Sequence, residues 1–202
     1  MKKIAVVLFL FISLVAKSQS WQEGTIVLKN EKQLEGLVML PVISKDYLTV
    51  NLNNKVKFKA SKKSKKKKFT EDDIKRIEII KEGSKSTYVY LPVSEKKSEV
   101  FEIVIAGGKV NLYARGVSMT TSNGTGTGVA SGFSVGNYDE FYVKRPQEEI
   151  ASPLVTIRIS KSFKNRAADY FSDCPSLVRK LNDKDLKEKD IQKVIEFYNT
   201  CN

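Results

Sequence analysis

The chain has 202 residues, 35 of them Lys or Arg against 23 Asp or Glu, with two Cys and no His. With 41% apolar and 29% charged residues it reads as one folded domain or two small ones, which excludes a fully disordered protein and a disulfide-dense miniature. Without an imidazole there is no His-based triad, His-ligated metal or histidine acid–base pair, and this counts against most ordinary hydrolase mechanisms.

Lys2 and Lys3 precede an apolar-rich run from Ile4 to Ala16, and small residues follow around Ser18 and Ser20. This is the three-part pattern of a secretory signal peptide. The run is shorter than the roughly 20 apolar residues that cross a bilayer core, and no cysteine stands beside the cleavage point to carry a lipid. The expectation is cleavage after residue 18 or 20 and a mature chain without a transmembrane segment, exported to the periplasm or the cell surface. Residues 1–18 contain three lysines and no acid, which leaves 32 basic against 23 acidic residues, a net charge of +9. Outside the cytoplasm nucleic acid is scarce and is not expected as a partner; anionic lipid, polysaccharide and acidic proteins are the available counterparts.

Residues 19–82 read as short strands. Thr25 to Lys29, Leu34 to Leu40, Tyr47 to Leu52 and Val56 to Ala60 have strand length and β-branched or aromatic content, separated by Asn, Lys, Glu, Pro or Asp. In Lys55-Val56-Lys57-Phe58-Lys59 the period of two places Val56 and Phe58 inside and the lysines outside. Thr70 caps a single helical turn with Asp73 in the reciprocal acidic position, and Arg76 to Ile80 returns to strand. Four strands, a helical turn and a fifth strand is the order of small barrels of the Sm or Src-homology-3 kind, offered here as an analogy.

Residues 83–159 continue in β. Thr87 to Val93 and Val100 to Ile105 are strands, and Gly107-Gly108 predicts a two-residue hairpin turn into Val110 to Tyr113. Residues 116–136, rich in Gly, Ser and Thr, read as a long loop before Phe141 to Lys144. Over residues 160–202 the apolar period shifts to 3.6. Phe163, Ala167, Tyr170 and Phe171 form one helical face; Leu177, Val178 and Leu181 a second, with Pro175 in the first turn; and Ile191, Val194, Ile195 and Tyr198 a third. Such small faces must pack on the sheet, which gives an α+β architecture. Cys174 and Cys201 flank the last two helices. In an exported protein such a pair is more often a disulfide than a metal or redox site, and a bridge here would stabilise the tail by roughly 3–4 kcal/mol; the rival is a pair of free thiols.

Gly24 to Leu28 with Leu34 to Val38, Phe69 to Ile74, Val100-Phe101-Glu102 to Leu112-Tyr113, and above all Tyr170-Phe171-Ser172-Asp173-Cys174-Pro175-Ser176-Leu177 with Phe197-Tyr198-Asn199-Thr200-Cys201-Asn202, together resemble a family of uncharacterised secreted proteins of the Bacteroidetes. In that family the module stands alone or ahead of an outer-membrane β-barrel. The resemblance covers most of the mature chain. It implies an envelope location and a helical ending with two cysteines, and it supplies no activity, cofactor or catalytic residue.

Several catalytic patterns are weak. Gly132-Phe133-Ser134-Val135-Gly136 matches a nucleophile elbow, which needs a strand-to-helix turn and a histidine. Gly124, Gly126 and Gly128 alternate, but the third glycine of a dinucleotide fingerprint would fall at Val129, and no helix is expected to follow. Ser64 with Lys67 and Ser94 with Lys97 fit S-x-x-K in a lysine-rich chain, while Glu71-Asp72-Asp73 and Asp139-Glu140 are the carboxylates a glycosidase would use. The dense feature is basic: Lys55, Lys57, Lys59, Lys62, Lys63, Lys65, Lys66, Lys67 and Lys68 are nine lysines in fourteen residues. The bland reading is a solvated loop; the functional one is an anion-docking patch, in which each lysine adds about 1 kcal/mol at a charged membrane surface. The expected function is an exported, non-enzymatic binding or scaffold module that docks onto an anionic envelope component or partner protein. A small hydrolase using carboxylates or a Ser/Lys pair is the alternative. No metal or cofactor is expected.

Overall fold

The computed structural model describes residues 21–41, 43–44, 54–81, 83–122, 133–156 and 161–201. The signal peptide expected at 1–18, the strand expected at 47–52 and the glycine alternation at 124–128 lie outside these residues. Among them the chain forms β1 (Gln22–Leu28), β2 (Gln33–Met39), β3 (Ile43–Ser44), β4 (Val56–Lys59), β5 (Lys67–Phe69), β6 (Ile74–Lys81), β7 (Ser84–Ser94), β8 (Lys97–Ile105), β9 (Asn111–Ser122), β10 (Phe133–Lys144) and β11 (Ser152–Val155). The helices α1 (Phe163–Tyr170), α2 (Pro175–Asn182) and α3 (Ile191–Thr200) follow. Ten strands make one antiparallel sheet in the order β11-β10-β9-β8-β7-β6-β1-β2-β4-β5, and β3 adds in parallel to β9. The class is α+β, with the helices at the C-terminal end.

The stretch β5-β4-β2-β1-β6 has the neighbour order of a small barrel and curls round Ile26, Val38, Val56, Phe58 and Ile77. It is not a separate barrel. The chain turns tightly at Gly83 (φ +79°), and β7 then occupies the free edge of β6, with Tyr88 opposite Ile77, so the sheet runs on across residue 82. Side chains bring the edges of the curl together. The Tyr90 hydroxyl on β7 donates to the Asn54 carbonyl at 2.6 Å and to that of Phe69 at 3.4 Å, and the Asn54 amide donates to the Ser98 carbonyl. Burial pushes the Tyr90 phenol up to about 12, which keeps it a donor. Gly24 and Gly36 face each other across β1 and β2, and a Cβ there would overlap the carbonyl oxygens of Glu78 and Lys59 respectively. Their bare backbones let the neighbouring strands close in, as the curvature requires.

Two sequence expectations are corrected. The segment 116–136 is not all loop: β9 runs on to Ser122 and β10 starts at Phe133, with Gly116 opposite Asp139 and Gly136 opposite Met119. Thr and Val suit an extended ladder, and isolated glycines do not break it where a partner strand supplies the hydrogen bonds. The β8–β9 hairpin is present, but its connection is residues 106–110 rather than two glycines. Gly107 (φ +83°) makes the turn and its N–H donates to Asn111 Oδ1 at 3.0 Å. Gly108 is needed for a different reason. A Cβ on it would overlap the side-chain amide of Asn199, which accepts from Val110 N at 2.9 Å and donates to Val110 O at 3.2 Å.

That amide docks α3 on the sheet. The helices cover one face of β8 to β11, burying Phe163, Phe171, Leu177 and Ile195 against Leu112, Val143 and Leu154. Successive residues alternate faces, so Tyr113 and Tyr142 pack with Leu91 and Phe101 on the opposite side. Ser162 caps α1 and Pro175 opens α2. Cys174 and Cys201 are joined in a disulfide, their Cα atoms 6.1 Å apart. Arg145, just beyond β10, binds Glu148, Asp173, the Tyr170 carbonyl and the Tyr198 hydroxyl, and its guanidinium stacks on the Tyr170 ring at 4.2 Å. Burial works against the charge of Arg145, but its hydrogen bonds, led by Tyr198, and the nearby charges outweigh this and hold its pKa above the usual value.

Candidate functional site

The lysine cluster is a hairpin on the outer edge of the sheet. Strand β4 lies between β2 and β5, with Leu37 opposite Lys59 and Met39 opposite Lys57, while Lys57 and Lys68 stand directly opposite each other. Directly opposed residues share a face, so Lys57, Lys59 and Lys68 point outward together, while Val56 and Phe58 fill the core behind them. Lys55, Lys62, Lys63, Lys65, Lys66, Lys67 and Lys68 are exposed, and Lys57 and Lys59 half-buried. None of the nine is in an ion pair among the described residues. The half-buried stems lie along apolar neighbours: Lys59 Nζ sits 4.9 Å from the centre of the Trp21 ring, and Lys57 Nζ 3.9 Å from Met39 Sδ. A face of Trp21, Leu37 and Met39 is therefore set among lysines, a grouping that sequence spacing conceals because three strands contribute and only the register aligns them.

Beside this face lies an open depression of about 580 Å3, lined by Gly24, Leu37, Ala60, Lys62 and Ile80 among others. Ile80 is 58% exposed, the most exposed large apolar side chain among the described residues. Glu23 on β1 and Glu35 on β2 also line the depression, so two carboxylates border the lysine face on its inner side.

The catalytic candidates do not converge. Ser64 sits in the β4–β5 turn, its hydroxyl 2.8 Å from that of Ser61, and Lys67 is in β5, so the helical spacing that S-x-x-K requires is absent. Ser94 and Lys97 face each other across the β7–β8 turn, and Lys97 pairs with Glu99. Ser134 lies within β10 with no helix after it. Asp73 accepts from Thr70 N at 2.9 Å, and Glu71 and Asp72 stand exposed side by side on the same turn, where both line an open depression of about 430 Å3 with Lys29, Lys75 and Tyr90. Asp139 and Glu140 are split by the sheet: Asp139 is exposed, while Glu140 is buried and accepts from Arg115 at 2.6 and 2.8 Å and from Thr156 at 2.5 Å. Arg115 also binds Glu99 and stacks on Phe101 at 4.5 Å. Sequence reasoning missed this buried cluster, which takes one charged residue from each of three neighbouring strands. With Lys97 also on Glu99, the two carboxylates and two cations form a charge-compensated element of the sheet.

No group of three or more metal-ligating side chains occurs among the described residues, and no helix among them is long and apolar enough to cross a membrane. Comparison with protein-family models, with curated proteins and with solved structures finds no match to the chain. The functional reading therefore stands on the geometry.

Proposed function

We propose that this protein is an exported, non-enzymatic module that docks onto an anionic component of the cell envelope through the Lys55–Lys68 face. The observation that carries the reading is nine lysines on one hairpin edge with no carboxylate paired to any of them among the described residues. Lys57 and Lys68 are held opposite each other, where like charges repel. Lysines act as point charges, so the surface selects for charge density more than for a particular chemical group. The same lysines also keep β5, an outer strand of the sheet, from pairing with another chain, which directs partners to the face rather than the edge.

Sedimentation of the mature protein with envelope fractions at low and moderate salt tests the reading, beside a variant with Lys62, Lys63, Lys65, Lys66, Lys67 and Lys68 changed to Ser. Binding that weakens with salt and is lost in the variant is expected. Equal behaviour of the two proteins would reduce the cluster to a solvated edge.

A further inference from the structure

We infer that the surface this face meets is an anionic lipid bilayer, and that Trp21 and its apolar neighbours enter the headgroup layer while the lysines hold the phosphates. The inference rests on the lysine reading above and adds an apolar component to it. A docking site for a soluble polyanion needs only cations. Here Trp21, Leu37 and Met39 lie among Lys57, Lys59 and Lys68, and the exposed Ile80 lies at the neighbouring depression. Tryptophan settles at the boundary between water and hydrocarbon because its ring is apolar and its N–H is polar. Lysines whose stems lie along apolar side chains can carry their ammonium groups outward to headgroup phosphates without leaving that surface. The two attractions then act on the same plane of the protein.

The sign of charge sets the orientation. Lys68, Lys57 and Lys59 occupy β5 and β4, whereas Glu23 and Glu35 lie on β1 and β2 on the same outer face. A negatively charged bilayer attracts the β4–β5 hairpin most strongly, so the sheet tilts onto that edge with Glu23, opposite Leu37, and Glu35 at the rim of the contact. The helical layer packs on β8 to β11, in the other half of the sheet, and stays clear of the contact.

Trp21 is the single tryptophan of the chain, so its fluorescence reports the contact without a label. Exported mature protein is mixed with vesicles of phosphatidylcholine alone, with vesicles containing about one third phosphatidylglycerol, with the latter carrying brominated acyl chains, and with dextran sulfate. The expected result is a blue shift with phosphatidylglycerol vesicles, quenching by the brominated lipid, and neither with neutral vesicles. Dextran sulfate is expected to bind without shifting the emission. Trp21→Ala weakens vesicle binding, read by sedimentation, by roughly tenfold, as expected when one large side chain stays in water, and leaves dextran sulfate binding unchanged. Salt-sensitive vesicle binding with an unshifted, unquenched Trp21 overturns the insertion and leaves charge-only docking intact. Binding to dextran sulfate alone replaces the bilayer with a soluble polyanion and also overturns the inference. Binding to neither anionic surface overturns the lysine reading together with it.

Discussion

Replacing Gly108 with alanine has an effect whose sign depends on residue 199. Asn199 makes both side-chain hydrogen bonds to the backbone of Val110, a residue with 0% exposure, across 89 positions of sequence. Asn199→Ala removes two bonds worth about 1 kcal/mol each and strands an N–H and a carbonyl in a site with little water, so the expected loss is about 3 kcal/mol. In the wild type a Cβ on Gly108 overlaps the Asn199 amide and turns it out of place, so Gly108→Ala costs nearly as much. Gly108 itself is outside the positive-φ region, so once Asn199 is an alanine the same change relieves unfolded-chain entropy and gains about 0.5 kcal/mol. Urea titrations of the four proteins of this cycle measure the coupling, expected at about 3 kcal/mol with unchanged m-values. A Gly108→Ala cost that is equal in the two backgrounds would refute the argument and place the glycine requirement in the backbone of the turn.

The remaining predictions concern the tail, the clamp and the lysine edge. Changing Cys174 and Cys201 together to alanine lowers the urea-derived stability by about 3 kcal/mol, because the bridge spans 27 positions. Burial pushes the Glu148 carboxyl up, but the hydrogen bonds from Tyr170 and Arg145 outweigh it, and the Tyr198 hydroxyl followed by the Arg145 charge holds Asp173 below its usual range. Lowered folded values stabilise above the ordinary carboxylate range and are lost as pH falls through it, so Arg145→Met flattens the loss of stability in urea titrations between pH 5 and about 2.5. Lys184 follows α2 with φ +64°, and Lys184→Gly is expected to raise the urea midpoint by the equivalent of about 1 kcal/mol. Changing the six lysines at 62, 63 and 65–68 to serine raises the thermal midpoint at low salt by relieving repulsion, and the difference from wild type shrinks as salt is added.

Legibility in the sequence followed the range of the interaction. The inward period of Val56 and Phe58, the Asp73 carboxylate reaching back to Thr70 N and the three helical faces are local patterns, and the structure contains each of them, although the Thr70 hydroxyl donates to Asp73 instead of capping a backbone N–H. The paired glycines were legible as a turn and illegible as a docking cleft, because the need for a bare Gly108 comes from Asn199, about ninety residues further along the chain. The same limit hid the continuity of the sheet past residue 82, since strand composition does not say which edge a strand will fill. It also hid the Glu99–Arg115–Glu140 cluster, whose charges balance, with Lys97 on Glu99, only when β8, β9 and β10 lie side by side.

The lysines show the reverse case, in which the residues were plain and their neighbours were not. A chain that needs only solubility can mix signs, and this one does so on the next part of the sheet: Glu78 on β6 meets Arg76 at 3.0 Å and Lys85 at 2.7 Å, and Glu31 meets Lys75 at 2.6 Å. On β4 and β5 no such pairing is made among the described residues, and Lys57 faces Lys68 instead. Two sets of strands in one sheet thus follow opposite rules, although the same solvent bathes both. Solubility accounts for the count of lysines and not for their segregation, nor for the tryptophan and methionine against which Lys59 and Lys57 lie. On the proposed reading an anionic surface supplies the missing countercharge and covers the apolar side chains, and the emission of Trp21 on a charged bilayer is the measurement that decides it.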